Sequence, residues 1–212
     1  MASEDDRLVL SSLIQHMPAD GRYQVEIAVS SVLEVPPYAS GSHGVTHIDK
    51  GMLEFFWDEG GCRSLLDVGC GPGGQVETAQ NLGYRALGIE VDPHYYRSPG
   101  VALVDLCVQP VLLPRPADLV WSVEVAEHLP GECVANFIET LTRNATRALC
   151  LTASQEPMVG HLTLHPPAWW VQRIEATGNW LHDPMSSALI GRYSTMQREF
   201  LRTTGMIFWR KT

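Results

Sequence analysis

The segment Leu65-Leu66-Asp67-Val68-Gly69-Cys70-Gly71-Pro72-Gly73-Gly74 constrains this chain more than any other stretch. Its first four residues read as a buried strand, and the glycines that follow fit a tight turn opening into a helix. A strand, a glycine turn and a helix begin an open α/β sheet, where a nucleotide-containing cofactor lies across the carboxyl end of the first strand. The spacing of Gly69, Gly71 and Gly74 also satisfies G-x-G-x-x-G, a pattern shared with dinucleotide-binding oxidoreductases. Asp67 separates the two readings. Two residues before the first glycine, a carboxylate faces a pyrophosphate unfavourably and an ammonium group favourably.

From residue 64 onward strand and helix patterns alternate, which predicts a mostly parallel sheet covered on both faces. Strands are expected over 64–68, 86–90, 101–104, 118–123, 148–152 and 206–209, with a further one over 179–183. Helices are expected over 75–81, 133–143, 167–177 and 195–202. Ahead of them Met52, Phe55, Phe56 and Trp57 share one apolar helical face that Gly60-Gly61 ends. Residues 1–51 read as an N-terminal cap or lid, with short elements over 8–17 and 23–33 before Pro36-Pro37 and the glycine-rich run 40–44 break the chain. Residues 52–212 read as a single cofactor-binding domain.

The balance of 15 basic against 24 acidic residues gives a formal charge of −9, so the chain as a whole repels nucleic acid and anionic membrane. The 5 cysteines are scattered and never spaced C-x-x-C, which argues for reduced, buried thiols rather than a disulfide framework or zinc site. The acidic start Met1-Ala2-Ser3-Glu4-Asp5-Asp6 is unlike a secretory signal, and no apolar run is long enough to span a bilayer. A cytoplasmic location is the expectation.

Each strand end adds a polar group to the same crevice. Glu90 follows the glycine turn by roughly 20 residues, the separation at which an acid reaches the ribose diol of a bound nucleoside. Val91 can pack on the adenine face. Asp105 can accept from the adenine amine, with the Leu106 N–H on a ring nitrogen. The stretches Leu65 to Gly74, Gly88-Ile89-Glu90-Val91-Asp92 and Val104-Asp105-Leu106 together resemble the successive motifs of the class I S-adenosylmethionine-dependent methyltransferases. The resemblance covers residues 64 to about 210. It implies a Rossmann-like sheet of seven strands, mostly parallel with the last antiparallel, and helices on both faces. It also implies S-adenosyl-L-methionine as cofactor, held by Asp67, Gly69, Cys70, Gly71, Gly73, Glu90, Val91, Asp105, Leu106 and Ser122.

The fourth strand empties into Glu124-Val125-Ala126-Glu127-His128-Leu129-Pro130. If a helical turn begins at Glu124, then Glu127 and His128 fall on its face at i+3 and i+4. Two carboxylates and an imidazole form a partial shell for Mg2+ or another divalent cation. The E-x-x-E-H spacing is similar to that of small-RNA terminal 2′-O-methyltransferases and ubiquinone-pathway O-methyltransferases. In those groups a downstream histidine completes a metal site beside the acceptor hydroxyl. His161 fills that place better than His165, because the chain after it matches the family's loop and helix beyond strand five.

A metal-free alternative keeps His128 or His161 as general base. The expected activity is methylation of a hydroxyl on a small-molecule or otherwise exposed acceptor. The rivals are an RNA 2′-O-methyltransferase, disfavoured by charge, and a non-catalytic binding or regulatory protein of the same fold. Trp169, Trp170 and Trp180, with Tyr193, are expected either to line an acceptor pocket or, for most of them, to belong to the core, and His43 and His47 to lie in a surface loop or a lid over the cofactor.

Overall fold

The computed structural model describes residues 45–95 and 100–212. The elements expected over 8–17 and 23–33, the Pro36-Pro37 break, His43 and nearly all of the 1–51 cap lie outside these residues.

In chain order the elements are α1 (Lys50–Asp58), β1 (Ser64–Val68), α2 (Gly74–Asn81), β2 (Arg85–Glu90), β3 (Val101–Leu103) and β4 (Ala117–Ser122). They continue with α3 (Val134–Asn144), β5 (Ala145–Leu151), α4 (Pro167–Ala176), β6 (Trp180–His182), α5 (Ser186–Tyr193), α6 (Phe200–Thr204) and β7 (Met206–Arg210). Short 3-10 turns cover Pro93–Tyr95, Ala126–His128 and Gly131–Cys133. The seven strands form one sheet in the order β3-β2-β1-β4-β5-β7-β6. The first five run parallel, and β7 inserts antiparallel to both β5 and β6. This is the expected architecture.

Period-2 alternation along the strands feeds two apolar layers. Leu66, Val68, Val120, Leu149 and Phe208 face α3 and α4 through Phe137, Leu141, Trp170 and Ile174. Leu65, Leu119, Trp121, Cys150 and Ile207 face the opposite side, against Met52, Phe56 and Val76 from α1 and α2 and Ile190 from α5. Trp170 and Trp180 are fully buried, as expected.

Two departures have physical reasons. The helix expected over 195–202 is instead the pair α5 and α6. Ser194 and Thr195 leave the helical path to bond the buried acid Asp49: the Thr195 N–H donates to Oδ1 at 2.9 Å and the Ser194 hydroxyl to Oδ2. Asp49 also accepts from the Met52 N–H at 3.0 Å, capping α1. The second departure concerns the cysteines: Cys107 and Cys133 form a disulfide, while Cys62, Cys70 and Cys150 are buried thiols. The partners stand 26 positions apart and no sequence spacing signals the pair; the β3 exit and the turn before α3 bring them together.

Candidate functional site

Strand order reverses direction between β1 and β4, so a crevice opens outside their carboxyl ends. A cavity of about 390 Å³ lies there. Its wall follows the strand ends from Asp105 and Leu106 after β3, through Glu90 and Val91, Asp67, Gly69, Cys70 and Gly71, to Glu124 and His128 after β4 and His161 after β5. Eleven of the fourteen residues expected at the site therefore line one cavity. Gly73, Ser122 and Glu127 do not. Gly73 sets the turn by entering α2 at φ 87°. Ser122 is fully buried and donates to the Val68 carbonyl at 2.9 Å, tying β4 to β1. Glu127 sits immediately behind the wall.

At the β1 end Gly69, Gly71 and Gly73 all have positive φ, and the Gly69 N–H donates to the Ile89 carbonyl at 2.9 Å. A Cβ on Gly69 would stand 2.3 Å from Val125, so the glycine lets the turn after β1 pack against the turn after β4. Asp67 is buried, faces the cavity, and no donor among the described residues bonds its carboxylate. Burial pushes its pKa up to about 8, and the nearby Glu90 carboxylate adds to the rise. Glu90 is braced: it accepts from the Gly71 N–H at 2.7 Å and from the Val91 and Asp92 N–H groups at 2.8 and 3.1 Å. Of about four lone-pair sites on a carboxylate, one stays available for a diol. Asp105 accepts from the Cys107 N–H at 2.7 Å, which shapes the loop carrying Leu106, and Asn136 Nδ2 donates to the Leu106 carbonyl at 2.8 Å. Burial raises the Cys70 thiol well above its ordinary pKa, so it is no nucleophile.

At the β4 end the expected helical turn does not begin at Glu124. That residue has φ 57°, a conformation side chains other than glycine rarely adopt, and the 3-10 turn starts two residues later. The Glu124 carboxylate accepts from the Thr152 hydroxyl at 2.9 Å. The residues brought together are Glu127, His128 and His161, whose ligand atoms all lie within 4.8 Å of one another. Glu127 is fully buried with neither carboxylate oxygen hydrogen-bonded. Burial raises its pKa, softened by the nearby N–H groups of Glu127 itself and Ser154 and by the Glu124 carboxyl. Glu124 rises to about 7, through burial and then repulsion from Glu127.

Both imidazoles are oriented through Nδ1: His128 toward the Gly160 carbonyl at 3.0 Å and His161 toward the Glu156 carbonyl at 2.7 Å. With a proton on Nδ1, His161 presents its Nε2 lone pair. Burial lowers the His128 pKa and keeps that ring neutral. This chemistry suits a divalent cation: a buried carboxylate and two imidazoles oriented by backbone carbonyls.

The wall also includes residues outside the expected ligand set, among them His47 of the expected surface loop or lid. His47 joins the wall and packs edge-on against Phe200 at 4.7 Å. Thr46 accepts from the Gly74 N–H at 3.0 Å, and Gln75 and Asp49 bond each other across α1 and α2. Met158 and Val159 line the rim beside His161. Their only sequence signal is position in the loop after β5. Among the described residues no helix is long and apolar enough to cross a membrane.

No protein-family model and no curated protein matches the chain. Solved structures do. The sugar N-methyltransferase KedS8 from a Streptoalloteichus species aligns with TM-score 0.57 at 15% identity, over 93% of this chain and 100% of its own. Magnesium protoporphyrin IX methyltransferase from Synechocystis, with bound SAH, aligns with TM-score 0.52 at 17% identity, over 76% of this chain and 80% of its own. The methyltransferase domain of bacterial CtHen1-CN aligns with TM-score 0.53 at 14% identity, over 77% and 97%. With the strand order, the antiparallel β7 and the glycine turn at the strand switch, these likenesses give the chain the fold of the class I S-adenosylmethionine-dependent methyltransferases.

Proposed function

We propose that the chain is a methyltransferase that uses S-adenosyl-L-methionine to methylate a hydroxyl oxygen on a small-molecule or exposed acceptor, assisted by Mg2+ or another divalent cation. The observation that carries this reading is Asp67, a buried and unbonded acid at the lip of a glycine turn. Such a group is costly unless a cation meets it, and the ammonium of the methionine moiety is the cation this fold brings there. A pyrophosphate would raise that cost, which counts against the oxidoreductase reading.

The cofactor supplies an electrophilic methyl group on a sulfonium. Asp67 holds the ammonium, the remaining lone pair of Glu90 accepts from the ribose diol, and Asp105 with Leu106 meets the adenine edge. Bound there, the cofactor would supply that methyl to an acceptor oxygen while its sulfur kept the C–S electron pair, and the hydroxyl proton would pass to solvent water. Glu127, His128 and His161 would hold the metal, which lowers the pKa of a nearby hydroxyl. The same ion would position the acceptor hydroxyl, since the Nε2 atom of each imidazole would be taken up in holding it.

A second reading needs no metal: His128, kept neutral by burial, accepts the hydroxyl proton directly. Activity that survives complete chelation selects it. An RNA acceptor is disfavoured by the −9 charge, and salt-sensitive RNA binding would revive it. The primary test is calorimetry with S-adenosylhomocysteine, followed by transfer of a labelled methyl group. Failure to bind overturns the proposal, and binding without transfer to any acceptor would point to a non-catalytic protein.

A further inference from the structure

The loop between β5 and α4 forms the rim at the hydroxyl end of the cavity, and it is a bonded turn. The Leu162 and Thr163 N–H groups donate to the Glu127 carbonyl at 2.7 and 3.0 Å, and the His161 N–H donates to the Met158 carbonyl at 3.1 Å. The Thr163 hydroxyl donates to the Leu129 carbonyl at 2.6 Å. Within this turn His161 reaches the metal-ligand group, while Met158 and Val159 stand on the rim at 61% and 102% exposure. These two exposed apolar side chains at the acceptor end of the cavity form a small apolar contact surface.

Charge gives an independent observation. Asp67, Glu90, Asp105, Glu124 and Glu156 line the cavity, and among the described residues no lysine or arginine does. The nearest cation to the His47 side, Arg198, is exposed and outside the wall. Of the lining acids, Glu124 and Glu156 are the two that the cofactor does not engage, and their carboxylates in the low-dielectric opening disfavour a phosphate or carboxylate on its way in.

We propose that the acceptor is an uncharged hydroxyl compound with an apolar or aromatic body, the body resting on Met158 and Val159 and the hydroxyl directed to His128 and His161. This deepens the methyltransferase reading and rests on it. The test uses the full chain saturated with S-adenosylhomocysteine and compares two phenols of equal reach, 4-butylphenol and 4-(4-hydroxyphenyl)butanoate, by calorimetry. The neutral probe is expected to bind about tenfold tighter, the scale of one lost apolar contact or one screened charge repulsion. Val159→Lys is expected to cancel that preference while leaving S-adenosylhomocysteine affinity unchanged. Equal binding, tighter binding of the carboxylate, binding of neither probe, or an unaltered preference in Val159→Lys overturns the acceptor assignment alone. Absence of S-adenosylhomocysteine uptake removes the parent reading and this one with it.

Discussion

Asp67→Asn isolates the electrostatic core of the proposal, because it keeps the side chain's size and removes only its titration. In the free protein burial holds the Asp67 carboxyl at about 8. At pH 7 it is therefore mostly protonated, and ionising it to meet an ammonium costs about 1.4 kcal/mol. Affinity for S-adenosylhomocysteine should then rise about tenfold per unit between pH 6 and 8 and level off above. Binding at pH 7 should release about 0.9 proton, visible as a dependence of the calorimetric heat on buffer ionisation enthalpy. The Asn variant should show no slope and no proton release. At pH 8 it loses a buried charge-assisted contact of about 2–4 kcal/mol, roughly 30- to 1000-fold in Kd.

The two proteins should converge toward pH 6, where the wild type has lost about 2.7 kcal/mol of its advantage to the ionisation cost. Folding supplies the control. A carboxyl whose folded pKa is raised contributes stability that is fully present below its unfolded value of about 4 and is lost as pH rises through its folded value near 8. The free Asn variant should accordingly be no less stable than wild type at pH 8 by thermal unfolding. Parallel pH slopes in the two proteins would refute the reasoning, whatever their absolute affinities.

Three further perturbations reach other parts of the site. Glu127→Gln and His161→Ala should each weaken Mn2+ binding by at least about tenfold while leaving S-adenosylhomocysteine affinity intact; loss of cofactor binding instead would make these residues structural. Gly69→Ala forces a Cβ to 2.3 Å from Val125 at φ 75°, and should cost about 2–5 kcal/mol in urea unfolding. A loss below about 1 kcal/mol would mean that the turns after β1 and β4 are not locked together. Opening the Cys107–Cys133 bond with a dithiol, or by Cys107→Ser, releases a loop of 26 residues and should lower stability by about 3 kcal/mol in the chain-entropy account. An unchanged Tm under reductant would show that the bond is not formed in solution.

The sheet was legible because its signal is local. Burial on both faces makes β1 a continuous apolar run interrupted by one acid, and glycines mark its end in the sequence itself. The site was legible down to the strand ends and no further. Asp67, Glu90 and Asp105 follow from strand position, but Ser122 shows the limit of the method: its place at the end of β4 fits a ligand role, yet its hydroxyl is used inside the sheet. The helical turn expected from Glu124 is displaced for a backbone reason, since a left-handed residue at 124 turns the chain before the 3-10 helix can start, though Glu124 still lines the cavity. Nothing in E-x-x-E-H encodes that φ. Asp49, Thr195 and the Cys107–Cys133 pair are tertiary: their partners lie far away in sequence, where no periodicity reaches.

Four acids stand at successive strand ends, and sequence alone treats them as equivalent. Their hydrogen bonds do not. Glu90 is satisfied by three backbone donors, Asp105 accepts from its own loop, and Glu124 accepts from Thr152. Asp67 at the centre of the crevice has no donor on its carboxylate among the described residues, and Glu127 behind its far wall has neighbouring N–H groups but none in ordinary hydrogen-bond geometry. A fold keeps such groups at a cost in stability unless a ligand offsets it. The offsetting charge must be positive in both places, yet the two surroundings ask for different cations. Asp67 stands alone beside a glycine turn that admits a ligand backbone, which suits a single ammonium. Glu127 stands with two imidazoles, a set of ligand atoms that an ammonium satisfies poorly and a divalent ion satisfies well. A methyl group carried from the first site toward a hydroxyl at the second is the chemistry that requires both.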